Sequence, residues 1–205
     1  YDLPIGIYEV KIYDSNQCEL TLQDEIFEPL PLIPPDISIL GDDTICYDSI
    51  PGNITVVNSP QGGGGDSPYY YTWQILNNTT WNTVAQGQND TVYNPGNLTE
   101  DSYFRVAVQS AYGCGPAFSD TVFIKVWERL EAGTLQDINT ICYNTSPDTI
   151  RFISGQGPTG ADNQYSYIFQ ESLGGNSWYT VQQGTNDFYI AGNVMTPAIW
   201  YRAIV

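Results

Sequence analysis

The chain has no histidine, one methionine, only 6 lysines and arginines, and no uninterrupted run of 18 apolar residues. Without histidine, the Ser-His and Cys-His pairings of nucleophilic catalysis cannot be assembled from these 205 residues. The 6 basic side chains face 23 acidic ones, for a net charge of −17. A surface this negative repels phosphate backbones and anionic membranes, so no nucleic-acid partner is expected. Without a long apolar run, no direct membrane insertion by a helix is expected either. The acids are scattered and form no Asp-x-Asp-x-Asp loop with a following Gly and Glu, so they read as solubilising charge before calcium ligands. The glycine run Gly62–Gly65, with Asp66 and Pro68, lacks the Lys and Ser/Thr of a phosphate loop and reads as a floppy connection. No cofactor and no metal site is expected.

What the chain does have is itself, twice. Thr44, Ile45, Cys46 and Tyr47 return as Thr140, Ile141, Cys142 and Tyr143, and Tyr71, Thr72, Trp73 and Gln74 return as Tyr167, Ile168, Phe169 and Gln170, both at an offset of 96. Pro51 and Ile54 return as Pro147 and Ile150. After a one-residue insertion Trp81, Thr83, Val84 and Gly87 return as Trp178, Thr180, Val181 and Gly184, and Arg105 returns as Arg202. A period near 96 is too long for a solenoid unit, which runs roughly 20 to 50 residues, and has the size of one small domain.

Taken in order, residues 1–29 alternate in polarity around a turn at Asp14, Ser15 and Asn16, which predicts a β-hairpin ending a preceding domain. Prolines 29, 31, 34 and 35 make residues 30–35 an extended linker. Residues 36–129 form the complete repeat. Strands are expected at Ile37–Leu40, Ile54–Val57, Tyr69–Leu76, Trp81–Ala85, Thr91–Tyr93, around Phe104–Val108, and at Thr121–Trp127. Tyr71, Trp73 and Ile75 share one face of the third strand, with Trp73 buried, and Phe104, Val106 and Val108 face inward on the sixth. Leu98 and Thr99 before Tyr103 have the pattern of a tyrosine corner. Seven short strands with turn signals between them and no helical period predict an all-β fold of tandem immunoglobulin-like antiparallel β-sandwiches. Residues 130–205 repeat the plan and stop before the last strand. Since the chain opens on Tyr1 and runs out inside a strand pattern at Val205, a longer parent polypeptide carrying an export signal and anchor is expected.

The four cysteines lack the close pairs of zinc or redox motifs. Cys46 and Cys114 fall inside one period and would close a loop of 68 residues, a bridge worth about 4 kcal/mol by chain entropy. Such a disulfide would tie the ends of the sandwich together and implies an oxidising, exported location. Cys142 then expects a partner beyond Val205, and Cys18 belongs with the preceding domain.

Catalysis is not expected. Paired carboxylates for glycoside cleavage are available in number, but Glu100 corresponds to Pro197 and Glu131 has no counterpart in phase. Trp81 and Trp178, next to turns, either pack over the sheet or contact a ligand.

Leu3, Pro4, Ile5, Gly6, Ile7, Tyr8, Val10, Asp14, Asn16, Cys18, Ile26, Glu28 and Pro29 resemble the end of the short repeat of SprB-type gliding-motility adhesins, giant surface proteins of Bacteroidota. That repeat usually has Gly before the cysteine, where this chain has Gln17. The Thr-Ile-Cys openings, Tyr71–Gln74, and the aromatic-aromatic-Arg sets ending at Arg105 and Arg202 are similar to the immunoglobulin-like modules that follow it. The resemblance implies a secreted cell-surface filament exported by the type IX route and serving adhesion and gliding, with neighbouring repeats of the same long chain, and surface or extracellular glycans, as partners. The alternative is a carbohydrate-binding or spacer module of a secreted polysaccharide-degrading enzyme. Asp followed by a hydroxyl and an aliphatic residue, at Thr44, Ser49, Thr91, Thr121 and Thr149, resembles the O-glycosylation sequence of exported Bacteroidota proteins. The same triplets equally describe a turn Asp followed by the start of a strand.

Overall fold

The computed structural model describes residues 3–64, 68–138 and 140–205, and every regular element in it is a β-strand. Contacts group the chain into two compact units. One runs through Asp43 and takes in Pro51–Gly96 and Ser102–Ile124; the other is Thr44–Ile50, Asn97–Asp101 and Lys125–Val205.

At the start, β1 (Gly6–Tyr13) and β2 (Glu19–Ile26) pair antiparallel from Gly6 opposite Ile26 to Tyr13 opposite Glu19. The Asp14 carboxylate makes the turn by accepting the N–H groups of Asn16 and Cys18, each at 2.8 Å. Gln17 sits there at φ 68°, the left-handed region that glycine adopts without strain. The hairpin has no third strand among the described residues.

The first repeat is a two-layer sandwich. One sheet joins β3 (Asp36–Leu40) to a later pair. Next come β4 (Thr44–Ile45), β5 (Asn53–Asn58), β6 (Tyr69–Asn77), β7 (Thr80–Gln88) and β8 (Val92–Tyr93), followed by β9 (Ser102–Ser110), β10 (Ala117–Phe118) and β11 (Val122–Val126). The smaller sheet has the order β3-β5-β8, and the larger β4-β11-β9-β6-β7 with β10 also on β9. This is the strand distribution of an immunoglobulin-like sandwich. Alternation drives it: Trp73, Phe104, Val106, Val108 and Ile124 from the larger sheet meet Ile54 of the smaller, none more than 1% exposed. Tyr93 closes the core with its ring centroid 5.7 Å from both Trp73 and Phe104. The Trp73 indole donates its one polar hydrogen to the Asp90 carbonyl at 3.0 Å. Residues 78 and 79 turn the β6–β7 hairpin, with Asn78 at φ 54°.

Two expectations change here. The proline segment is not a free spacer: Ile33 bridges Gln61, and Gly63 donates to the Leu30 carbonyl at 2.8 Å. The glycines allow that approach, for a Cβ on Gly62 would lie 2.2 Å from the Pro31 oxygen. Gly62–Gly64 is thus a packed strap against the linker; Gly65 and Asp66 lie outside the described residues. Tyr103 makes no tyrosine corner. Its neighbour Phe104 points inward, so Tyr103 points outward and rests on Phe123 with centroids 4.7 Å apart.

The second repeat comprises β12 (Glu128–Glu131), β13 (Ile150–Arg151), β14 (Thr159–Ala161), β15 (Tyr167–Ser172), β16 (Tyr179–Gly184), β17 (Phe188–Tyr189) and β18 (Trp200–Ile204). Its pairs are β12-β14 and β13-β17, beside the three-stranded β16-β15-β18. Ile150, Tyr167, Phe169 and Ala191 form its core, with Phe169 where the first repeat has Trp73. Gly160 plays the part of Gly62, since a Cβ there would lie 2.0 Å from the Arg129 oxygen.

The recurring Thr-Ile-Cys-Tyr motif has a backbone explanation. Asp48 and Asn144 both adopt φ 58°, which turns the chain so that they donate to the Leu98 and Val194 carbonyls at 2.8 and 2.9 Å. Ser49 and Thr145 donate back to Cys46 and Cys142 at 3.2 Å. Asn97 clamps the first turn by donating to the Asp48 carbonyl and carboxylate. Asp and Asn tolerate this left-handed position better than most residues, which is why both repeats use them.

Candidate functional surface

The most organised polar cluster lies on the outer face of the larger sheet, where sequence repetition had marked residues without showing their contact. Register sets Gln74 opposite Arg105 on one side and Thr83 on the other, with Trp81 two pairs further along β7, opposite Leu76. The Arg105 guanidinium carbon lies 4.2 Å from the Trp81 ring centroid and 4.1 Å from that of Phe118, and its Nε donates to Gln74 Oε1 at 2.9 Å. Partial burial pulls the Arg105 pKa below its usual value. The second repeat rebuilds the cluster: Arg202 stacks 4.4 Å over Trp178 and donates to Gln170 at 2.8 Å, and Gln170 donates on to Thr180 at 3.1 Å. One face of each indole is covered by a cation, so Trp81 and Trp178 pack over the sheet, half-buried. Exposed aromatics at matching positions include Tyr103 and Trp200, 42% and 59% exposed, and Tyr47 and Tyr143, 39% and 77% exposed.

The hydroxyl residues of the Asp-Thr/Ser-aliphatic triplets are not brought together. Thr44 opens β4, and Thr91, Thr121 and Thr149 stand directly before β8, β11 and β13. Thr44, Thr121 and Thr149 are exposed, whereas Ser49, bridged to Leu98, and Thr91 are half-buried. Strand-start chemistry accounts for four of the five positions, and it does so whether or not a sugar is attached.

The expected Cys46–Cys114 disulfide is absent: Cys18, Cys46, Cys114 and Cys142 are all free thiols. The register gives the reason. Cys46 follows Ile45, which pairs with Val126 beside Asp101, at the start of β9. Cys114 sits at the opposite end of that strand, bonded to Ser110 through both backbone groups. A strand of this length spans about 30 Å, and a disulfide needs Cα atoms within about 7 Å. Export therefore rests on the family resemblance alone.

Chemistry of the acid–base kind finds little support. Asp14 and Asp101 lie below the usual carboxylate range chiefly because backbone N–H groups bond to them, and Glu19 chiefly because of Lys11. A general acid requires the opposite shift. Burial raises Tyr71 and Tyr93, keeping both phenols neutral. Among the described residues no group of three or more Cys, Asp or Glu is placed to hold a metal ion. One hollow, of about 490 Å³, is lined by Gln61, Tyr69, Tyr71, Asn89 and uncharged neighbours; another, of about 650 Å³, opens in the second repeat beside Ile141, Pro147, Trp200 and Tyr201.

Residues 36–128 match the family described as "Domain of unknown function (DUF8696)". No curated protein matches the chain. Among solved structures, domains A168–A170 of titin are similar over 97% of this chain and 68% of that one, at 11% identity and a TM-score of 0.43. The FN1-FN3 domains of chicken CNTN1 are similar over 98% and 71%, at 14% identity and a TM-score of 0.31. The sandwich assignment stands on the strand order and the core described above.

Proposed function

We propose that the chain is a stalk segment of a long, secreted cell-surface adhesin filament, exported by the type IX route and serving attachment and gliding, with a mechanical and not a catalytic role. The observation that carries this reading is how the chain passes through the first repeat. It enters along Leu30–Ile33, against Gly63 and Gln61 near Ser110, and leaves at Val126 beside Asp101, at the far end of β9. A sandwich entered and left at opposite ends suits a chain built of such repeats. The indoles spent on Arg105 and Arg202 point the same way, since a sugar platform needs free ring faces. High negative charge would keep neighbouring filaments apart in water.

A carbohydrate-binding module of a secreted polysaccharide-degrading enzyme is the second reading, favoured by Tyr103 and Trp200 standing exposed at equivalent positions. Intact mass and peptide mapping of the protein from its native cells separates the two. Hexose-type masses on Thr44, Ser49, Thr91, Thr121 or Thr149 within a very large parent support the glycosylated filament. A bare parent of modest size carrying a hydrolase domain overturns it.

A further inference from the structure

The hollow of about 490 Å³ in the first repeat lies where three segments meet. Ser59 and Gln61 come from the turn after β5, Tyr69 and Tyr71 from β6, and Asn89 and Thr91 from the turn before β8. Backbone bonds fix all three. Gln61 exchanges two with Ile33, at 2.8 and 3.2 Å, Asn89 donates to the Tyr69 carbonyl at 3.0 Å, and the Thr91 carbonyl accepts from Val56 at 2.9 Å. The walls are therefore set before any ligand arrives.

Alternation turns Tyr69 and Tyr71 inward beside Trp73, but their hydroxyls fare differently. The Tyr69 hydroxyl donates to the Gly62 carbonyl at 3.0 Å. Tyr71 is 3% exposed, and among the described residues its hydroxyl has no hydrogen-bond partner. No fully enclosed side-chain N or O among those residues lacks a partner, so this hydroxyl is open to the hollow that its side chain lines. A polar group this deep, with no protein partner, calls for one from outside the chain.

We propose that the hollow binds one neutral, hexose-type sugar unit, with the Tyr71 hydroxyl as a hydrogen-bonding contact. The lining decides the class. It contains no charged side chain, so a charged ligand would lose water without gaining a counter-charge. Burial keeps the Tyr71 phenol neutral as well. The hydroxyls of Ser59, Tyr71 and Thr91 and the amides of Gln61 and Asn89 can each donate and accept, as the hydroxyls of a sugar do. The volume falls within the roughly 300–1,000 Å³ of small-ligand sites. Because this is a hydrogen-bonding hollow and not an aromatic platform, the covered faces of Trp81 and Trp178 do not bear on it. In the second repeat burial and then the Asp187 charge raise the pKa of Tyr167, the counterpart of Tyr71, so a carboxylate lies near that phenol and the same ligand is not expected there. The inference goes beyond the stalk reading, which mass mapping of the native protein decides whichever way this test falls.

The test titrates glucose, galactose, mannose and N-acetylglucosamine separately into the full isotope-labelled chain and follows its backbone amide shifts. At least one sugar is expected to give saturable shifts, with a Kd in the millimolar range, centred on Gln61, Tyr71, Asn89 and Thr91. Tyr71→Phe removes only the hydroxyl and is expected to weaken that binding at least about fivefold. Asn89→Gly, which accepts the left-handed φ of 55° and removes the amide, is expected to weaken it too. No saturable shift with any of these sugars overturns the proposal, as do shifts centred elsewhere or an affinity that Tyr71→Phe leaves unchanged.

Discussion

Exchanging the central aromatic of the first repeat for that of the second, Trp73→Phe, tests whether the two cores are interchangeable or individually fitted. The swap deletes two ring carbons from a fully buried position, about 1.6 kcal/mol at roughly 0.8 kcal/mol per buried carbon. It also removes the N–H that reaches the Asp90 carbonyl at 3.0 Å. Leaving a carbonyl without its donor costs about 1–3 kcal/mol, and the low end applies because Asp90 is only half-buried and water can reach it. The sum is about 2.5 kcal/mol, equivalent to a fall of about 10–20 °C in the midpoint of a domain of this size. Urea unfolding followed by far-UV circular dichroism measures it. A loss below about 0.5 kcal/mol refutes the reasoning, because it would mean that Tyr93 and its neighbours collapse into the space and that the hydrogen bond contributes nothing. Phe169→Trp in the second repeat is expected to destabilise as well, by about 1–3 kcal/mol of overpacking, since a core fitted to phenyl has no place for the larger ring.

Arg105→Lys should cost about 1 kcal/mol in the same assay, because a lysine cannot lie flat between Trp81 and Phe118 while bonding Gln74; a neutral outcome would count against the stacked geometry. The Asp101 carboxyl lies below the usual carboxylate range, first through the Val126 N–H and then through Lys125. Its folded pKa is depressed, so its stabilisation is present above the unfolded value near about 4 and fades as pH falls through the folded value. Asp101→Asn should therefore flatten the acid limb of the stability curve, by less than about 1 kcal/mol given the exposure of the Lys125 pair. Cys46→Ser combined with Cys114→Ser should leave the melting midpoint unchanged within about 0.5 kcal/mol under oxidising and reducing conditions alike; a drop of several kcal/mol confined to oxidising buffer would restore the bridge.

Which residues were readable from sequence follows from how local the physics is. Trp73, Phe104, Val106 and Val108 declare their burial through a period of two, which needs no knowledge of the partner sheet. The same rule places Tyr103 outside, and the motif-based tyrosine corner failed because it set a family pattern above that alternation. The cysteine pairing failed for a different reason: a loop of 68 residues constrains entropy but says nothing about which end of a sandwich each cysteine occupies. Gly62–Gly64 looked floppy because its partner, the proline segment, lies about thirty residues earlier, and close backbone approach leaves no hydrophobic pattern. The Arg105 cluster was half legible. Gln74, Trp81 and Arg105 recur together as Gln170, Trp178 and Arg202, but only the strand register brings them onto one face.

If the repeats carry tension, the short parallel pair between β4 and β11 decides how the first one yields. Pulling a parallel pair from opposite ends loads its hydrogen bonds side by side, so they must break together, whereas an antiparallel hairpin pulled from its open end releases them one at a time. Val126 is held further by the Asp101 carboxylate at 2.8 Å, and Lys125 by the same group at 2.9 Å. Among the described residues, Thr140–Ile141 of the second repeat belongs to no strand. Forced unfolding follows the unfolding rate, so in a single-molecule pulling experiment the second repeat should open at lower force than the first. Equal forces in the unmodified chain would show that the β4–β11 clamp does not limit opening, and that the mechanical role must be sought in the core.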